Sequence, residues 1–134
     1  MSGISAISST YTPILLSHQT GLSSTVSTAN TYYNIGSSIS IPRNGIAKIS
    51  IIAHIGGSSD TGYLNINLTR NSTQYNSNSN IIGSFTNNTP LILNNIDNGS
   101  YDINVLKGDI LQFMVTSNLA GDTVYVDDLV VILQ

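Results

Sequence analysis

Apolar and polar residues alternate along much of the chain from residue 37 onward, with the period of two that is typical of a strand with one buried face. Turn-forming clusters of Gly, Asn, Asp and Ser separate these stretches at intervals of roughly 8 to 15 residues. The pattern predicts an all-β sandwich or barrel of about eight to ten strands. The apolar positions that define the clearest core faces are Ile49, Ile51, Ala53 and Ile55, then Leu64, Ile66 and Leu68, and then Leu111, Phe113 and Val115.

The last strand has apolar residues on both parities. One parity contains Val124, Val126, Val130 and Ile132. The other parity contains Leu129, Val131 and Leu133. Either a bulge at Asp127–Asp128 switches the phase, or the core covers one face and a partner subunit the other. We favour a partner, because an exposed Val/Leu face promotes aggregation. This assigns an oligomer interface to Val124, Val126, Leu129, Val131 and Leu133.

The first part of the chain has an unusual composition. Residues 1–42 contain no Asp, Glu, Lys or Arg, and residues 1–30 are rich in Ser, Thr, Ile and Ala. Such a segment lacks the composition of a well-solvated disordered tail. We therefore expect an uncharged arm over residues 1–30, with one strand at Tyr11 to Ser17, that docks on a neighbouring subunit. The alternative is a flexible or edge-lying arm. Residues 31–134 would form the folded domain.

Length and charge narrow the classes of function. The 134 residues fit one domain, and 8% of them are charged against about 25% in an average soluble domain. Four basic residues, outnumbered by seven acidic ones, exclude a nucleic-acid-binding surface. No apolar run is long enough for membrane insertion or a signal-peptide core. We expect a chain made in the cytoplasm whose Ser-, Thr- and Asn-rich surface suits work outside the cell.

Three segments resemble the C1q/tumour-necrosis-factor-like jelly rolls, a group that includes viral spike or turret modules and spore-surface head domains. Ile39 to Ile49 contains a Pro-Arg-Asn-Gly turn between strands, Leu64 to Asn71 is a strand that ends in a basic-Asn turn, and Val105 to Leu111 contains a Gly-Asp hairpin. Ser72 stands where the family often has Gly. The resemblance covers residues 37–134. It implies a single jelly-roll β-sandwich of antiparallel strands that assembles as a trimer and does no catalysis.

The residue chemistry gives no reason to expect an enzyme or a cofactor. Asp127 and Asp128 are adjacent, and adjacent strand residues point to opposite faces unless a bulge intervenes. His18 and His54 have no metal-ligand spacing. We predict no catalytic residue and no transition-metal site. Calcium is a weaker possibility, because Asp122, Asp127 and Asp128 supply hard oxygen ligands at one end of the sheet; an ordinary polar turn and bulge is the alternative.

Two sets of polar residues are candidates for modification or recognition. Sequons place glycosylation acceptors at Asn67, Asn71, Asn87 and Asn98, all expected to be accessible. The Asn-rich segment 71–80 is the most plausible ligand loop, with Asn71, Tyr75, Asn76 and Asn78 offering hydrogen bonds and a stacking surface; a solvated loop is the alternative. Sugar binding would depend on an aromatic ring among Tyr32, Tyr33, Tyr63 and Tyr75.

Together these features favour a structural component of a virus particle, a surface spike, turret or decoration subunit located on the virion. Its partners would be copies of itself, as a trimer or pentamer, and other coat proteins, with a contribution to host attachment. The alternative is a carbohydrate-binding, lectin-like module of a cell-surface protein whose partners are cell-surface glycans. The oligomeric mass and the binding of glycans distinguish the two hypotheses.

Overall fold

The structure is a computed structural model that describes residues 12–56, 62–74, 84–85, 91–94 and 102–134. These residues form β-strands and turns, and none of them belongs to a helix long and apolar enough to cross a membrane. The strands are β1 (Ile14–Thr25), β2 (Tyr33–Ser40), β3 (Gly45–Gly56), β4 (Gly62–Arg70), β5 (Thr73–Gln74), β6 (Ser84–Phe85), β7 (Leu91–Asn94), β8 (Ile103–Val105), β9 (Ile110–Ser117) and β10 (Thr123–Leu133).

The strands form two antiparallel sheets. The first has the order β1-β10-β3-β7, with β8 also pairing β3, and the second has the order β2-β9-β4-β5, with β6 also pairing β4. The pairs β1–β10, β2–β9, β3–β8 and β4–β5 are nested. Nested pairing is the arrangement of a long hairpin wound into two facing sheets, which is a jelly roll. The predicted all-β, antiparallel jelly-roll sandwich is confirmed.

The core lies between the sheets and follows the predicted alternation. Along β3, Ile49, Ile51, Ala53 and Ile55 are buried, and the residues between them are half-buried. The second sheet contributes the opposite wall of the core with Ile66, Leu68, Leu111, Phe113 and Val115. Each fully buried branched or aromatic side chain contributes about 1.5–3 kcal/mol relative to exposure. The β-branched residues therefore both favour the strands and supply the core.

A bulge explains the apolar pattern of β10. The pairing of β10 with β3 shifts register between Val126 and Asp128, so the side-chain phase reverses there. The five side chains assigned to an oligomer interface (Val124, Val126, Leu129, Val131 and Leu133) all lie in the chain's own core, with exposures of 0 to 2%. That assignment is wrong, because the phase switch directs these residues inward on both sides of the bulge.

The first described strand belongs to the sandwich. β1 pairs with β10 along its length, from Ile14 opposite Leu133 to Thr25 opposite Thr123. Val26 follows it into the core, where its N–H donates to the Asp122 carbonyl (2.8 Å). Residues 14–26 of the expected arm thus pack on the chain itself at the edge of the sandwich, which corresponds to the edge-lying alternative. Residues 1–11 lie outside the described residues, and their docking stays a prediction.

The Lys107–Asp109 turn has a different role from the hairpin that the resemblance implied. Gly108 has φ +91°, a left-handed conformation that favours glycine. The strands that flank the turn belong to opposite sheets, because β8 pairs β3 whereas β9 pairs β2 and β4. The turn therefore carries the chain across the sandwich. Its Asp109 helps to organise one end of the candidate site.

Candidate functional site

The outward face of the second sheet carries a cleft. The open cleft has a volume of about 410 Å³. It is built on β2, β9 and β4 and on the turn after β4. Its lining consists of amide and hydroxyl side chains with a single apolar residue, and none of them carries a formal charge. The lining residues are Asn34, Ser38, Thr69, Asn71, Ser72, Ile110 and Gln112.

Strand register places these side chains in rows across the sheet. On β9, Ile110, Gln112 and Met114 alternate with the core residues and therefore point outward. Thr69 of β4 is opposite Gln112, and Asn34 of β2 is opposite Met114. The cleft thus runs along β9. Its lining includes Ile110 and Gln112 on β9 and Asn34 and Ser38 on β2.

A wide bulge in β2 fixes the centre of the cleft. Ile35 is opposite Phe113 and Ile39 is opposite Leu111, so three residues of β2 face Gln112 alone. The Gln112 Nε2 group donates to the carbonyl oxygens of Ile35 (3.0 Å), Gly36 (3.2 Å) and Phe113 (3.1 Å). Only a nitrogen satisfies three carbonyl oxygens, so these contacts fix the amide orientation. The bulge and Gln112 hold each other in place.

Gly36 is required within the same bulge. Its φ is +71°, and a Cβ at this position would lie 2.5 Å from Gln19 Oε1. The Gln19 side chain of β1 binds the backbone of Ser37, accepting from its N–H at 2.7 Å and donating to its carbonyl at 3.3 Å. The side chain of one sheet thereby completes the hydrogen bonding of an irregular strand in the other.

A tight turn closes the other end of the cleft. Asn71 and Ser72 connect β4 to β5 with φ of +54° and +68°, the left-handed pair of a two-residue hairpin turn. Asn71 exchanges hydrogen bonds with the backbone of Ile110, and its Nδ2 donates to Asp109 Oδ1 (2.9 Å). Hydrogen bonds from the Leu106 N–H and from Asn71 hold the pKa of the Asp109 carboxyl below its ordinary value, and the charge of Arg70 acts in the same direction.

Tyr32 lies on the same face of the sheet as the cleft, two residues before Asn34. Its side chain makes a hydrogen bond with Asn67 on β4. Because β9 lies between β2 and β4, the tyrosine side chain crosses β9 on the outer face. Asn67 and Thr116 are only 1% and 3% exposed although both belong to that face. Burial raises the pKa of the Tyr32 hydroxyl, partly offset by the hydrogen bond with Asn67.

The predicted recognition and modification residues have mixed outcomes. Asn71 does line the cleft, but its amide is committed to Asp109 and Ile110 rather than to a long loop. The expected accessibility of Asn67 is wrong, because Asn67 is buried. Tyr33 turns to the core edge, where its hydroxyl accepts from the Thr28 N–H (3.0 Å). The predicted sites at Tyr75, Asn76, Asn78, Asn87 and Asn98 lie outside the described residues.

The three calcium candidates do not converge. Asp122 is buried and accepts from the Ser117 hydroxyl (2.8 Å), before β10 begins. The β10 bulge puts Asp127 and Asp128 on the same outer face, where they pair with His54 and His18, each at 2.6 Å. The sequence analysis allowed for this arrangement, because it expected opposite faces only if no bulge intervened. Within the ranges that the structure describes, no group of three His, Cys, Asp or Glu side chains is arranged to hold a metal ion.

Most cleft residues escaped the sequence analysis. Gln112, Thr69 and Asn34 are isolated polar residues on outward strand positions, where polar residues are expected in any sandwich. Only the register of three strands shows that they share a surface. The alternation along β9 identified its outward face, but no short motif marks that face as a site.

Comparisons with known proteins add little to this geometry. No family model matches the chain, and no curated protein matches it. Among solved structures, the chain is similar to a xylan-binding module CBM15, with a TM-score of 0.49 and 11% sequence identity, over 91% of this chain and 96% of that chain. Similarity at this level does not establish a shared function, so the argument for function rests on the cleft.

Proposed function

We propose that this chain is a non-catalytic carbohydrate-binding domain that works outside the cell and binds a glycan chain in the β2–β9–β4 cleft. The observation that carries the proposal is the lining of amide and hydroxyl groups. The Tyr32 side chain, bonded to Asn67, lies further along the same face of the sheet. Sugar hydroxyls pair with amide and hydroxyl groups, and the apolar faces of sugar rings pack against aromatic side chains. The cleft is open and extends over three strands, which suits a chain of sugar rings better than one compact molecule.

The chemistry of the lining supports binding rather than turnover. None of the seven lining side chains is an acid or a base near neutral pH. General acid–base catalysis of glycoside cleavage ordinarily needs a pair of carboxyl groups that flank the scissile bond. The nearby carboxyl group, Asp109, is largely buried and engaged by Asn71 and the Leu106 N–H. The cleft therefore offers recognition groups without a reacting pair.

A glycan array probed with the full chain and with Tyr32→Ala tests this function. We expect the wild-type chain to bind a defined set of glycans and Tyr32→Ala to bind them at least tenfold more weakly, a loss of about 1.4 kcal/mol. Tyr125→Ala is the matched control, because Tyr125 is an exposed tyrosine on the opposite sheet, stacked on His54. Equal loss in both variants, or no binding by the wild-type chain, would refute the proposal.

A second candidate, a self-assembling subunit of a virus particle, is favoured by β1. This strand lies at the edge of its sheet, spans 12 residues and contains no Pro, Lys, Arg or Asp. Natural edge strands are usually blocked by such residues, since an open edge pairs with another chain. Leu15 on β1 is 60% exposed and lies beside the partly exposed Ile132. A second copy would add its strand to this edge, and other coat proteins and host glycans would be further partners.

Light scattering after size exclusion distinguishes the second candidate from the first. Assembly through β1 predicts an oligomer for the wild-type chain and a monomer for Thr20→Lys, which puts a charge on the exposed edge strand. Ser40→Lys is the control, because Ser40 is exposed at the end of β2 in the other sheet. A wild-type monomer at micromolar concentration would eliminate the assembly function and leave carbohydrate binding.

A further inference from the structure

The amide of Gln112 presents one kind of hydrogen-bonding atom to the cleft. Its Nε2 carries two hydrogens, and three backbone carbonyl oxygens from β2 and β9 surround it at 3.0 to 3.2 Å. The nitrogen therefore has no donor left for a ligand. Gln112 still lines the cleft, so the atom that it offers there is Oε1, an acceptor with two lone pairs.

The electrostatic surroundings of this acceptor also disfavour an anion. No cation lines the cleft. The nearest guanidinium on β4, that of Arg70, is directed to the other sheet, where it donates to the carbonyl of Asn104 (3.0 Å). The Asp109 carboxylate lies behind Asn71, and its pKa is lowered, so it is ionised near neutral pH. The chain as a whole carries a net charge of -3.

From these contacts we infer that the cleft selects neutral glycans and rejects sulfated, phosphorylated or carboxylated ones, and that Gln112 Oε1 is the determinant of this selectivity. The inference rests on the proposed function and deepens it. A sugar hydroxyl donates its hydrogen to Oε1. A sulfate, phosphate or carboxylate group has only acceptor oxygens at neutral pH, so it meets the Oε1 lone pairs without a hydrogen between them. An acceptor that faces another acceptor in a complex makes no hydrogen bond and loses its contact with water, which is unfavourable.

Gln112→Lys separates selectivity from the structural role of this side chain. The lysine ammonium group has three donors, so it can bind the same carbonyl oxygens of Ile35 and Gly36 and retain the bulge. It removes the acceptor and adds a positive charge in the centre of the cleft. Ser38→Lys is the matched control, because it adds the same charge to the lining and leaves Gln112 Oε1 in place. If Oε1 is the determinant, the ratio of the affinities for neutral and sulfated ligands falls further in Gln112→Lys than in Ser38→Lys.

The experiment is affinity electrophoresis of the full chain through dextran, galactomannan and β-glucan, each unmodified and sulfated, with the thermal unfolding of all three proteins as the fold control. We expect wild-type chain to bind at least one neutral polymer and its sulfated form at least tenfold more weakly. In Gln112→Lys we expect the ratio of the two affinities to fall at least tenfold.

Each other outcome has a defined meaning. If the wild-type chain binds the neutral and sulfated forms equally, or if the ratio is unchanged in Gln112→Lys, the carbohydrate-binding function survives and the selectivity inference is overturned. If the wild-type chain binds none of the neutral polymers on this panel or on the glycan array, both the function and the inference are overturned. An equal fall of the ratio in Ser38→Lys would show an effect of charge alone and overturn the inference. A folded Gln112→Lys that prefers the sulfated forms, while Ser38→Lys does not, supports the inference most directly.

Discussion

The Asn71 residue binds Ile110 in the manner of a β-ladder, with one of the two bonds made by its side chain. The Asn71 N–H donates to the Ile110 carbonyl (2.9 Å), and the Ile110 N–H donates to Asn71 Oδ1 (2.8 Å). This pair joins the turn after β4 to the first residue of β9, so it fixes this end of the cleft to β9.

Replacement of Asn71 should therefore destabilise the whole domain. Asn71→Ala removes the side-chain hydrogen bonds to Ile110 and Asp109, and alanine is strained at the φ of +54° that this position has. The substitution should lower the free energy of unfolding by about 2–4 kcal/mol. Asn71→Gly loses the same bonds without the backbone penalty and should cost about 1 kcal/mol less. Urea denaturation of the three proteins measures both values. A loss below about 1 kcal/mol in Asn71→Ala would contradict this role.

Ser72→Gly should make the protein more stable. Ser72 has φ +68°, which costs a non-glycine residue about 1–2 kcal/mol, and the greater unfolded-state entropy of glycine offsets about half of that relief. The expected gain is about 0.5–1 kcal/mol, seen as a higher midpoint in thermal unfolding, since Asn-Gly is the preferred dipeptide for this turn. Ser72→Ala retains the strain and should bring no gain. If Ser72→Gly is less stable than the wild-type chain, the Ser72 hydroxyl makes a hydrogen bond whose loss outweighs the relief of backbone strain.

Two substitutions on β10 test the phase reversal at its bulge. Leu129 is 1% exposed and Ile132 is 37% exposed, although both are large apolar residues of the same strand. Leu129→Ala should lower the free energy of unfolding by about 2–5 kcal/mol, and Ile132→Ala by about 1 kcal/mol or less. If the two substitutions lowered the free energy of unfolding by similar amounts, both faces of β10 would be buried, as the sequence analysis first favoured.

The Tyr32 hydroxyl should make stability depend on alkaline pH. Its pKa is raised in the folded state, so its contribution is complete below the unfolded pKa of about 10 and is lost as the pH rises through the folded pKa. Tyr32→Phe should lower stability at neutral pH by about 1–3 kcal/mol, because buried Asn67 loses a partner. The difference in free energy of unfolding between the wild-type chain and Tyr32→Phe should become smaller at high pH. Urea denaturation across this range, beside an ultraviolet titration, measures it; a constant difference would contradict the coupling.

The sequence predicted the sandwich well because its core follows a local rule. β3 buries every second residue from Ala47, and β9 does so as far as Val115; that alternation is visible without knowledge of any contact between strands. The phase of β10 could not be decided in the same way. A bulge and a doubly covered strand give the same apolar pattern, and only the pairing with β3 shows that Val126 and Leu129 face the same core.

The candidate site was much less predictable, because its parts are distant in the sequence. Asn34, Thr69 and Gln112 come from three strands and meet only through the registers of β2–β9 and β4–β9. The direction of the Gln112 amide depends on a three-residue bulge in another strand. The connection made by the Lys107–Asp109 turn was unpredictable for the same reason. A Gly-Asp turn has the same sequence pattern whether it joins neighbouring strands of one sheet or crosses to the other sheet.

The pairing of β1 with β10 also determines how the domain responds to mechanical force. Ile14 lies opposite Leu133, so the two ends of the described fold leave from the same end of one antiparallel ladder. Tension between these ends acts across the strands, along the hydrogen bonds, and loads the terminal pair before the next. β1 would peel from β10 one pair at a time instead of shearing as a unit. A domain tethered through both ends would therefore yield at low force.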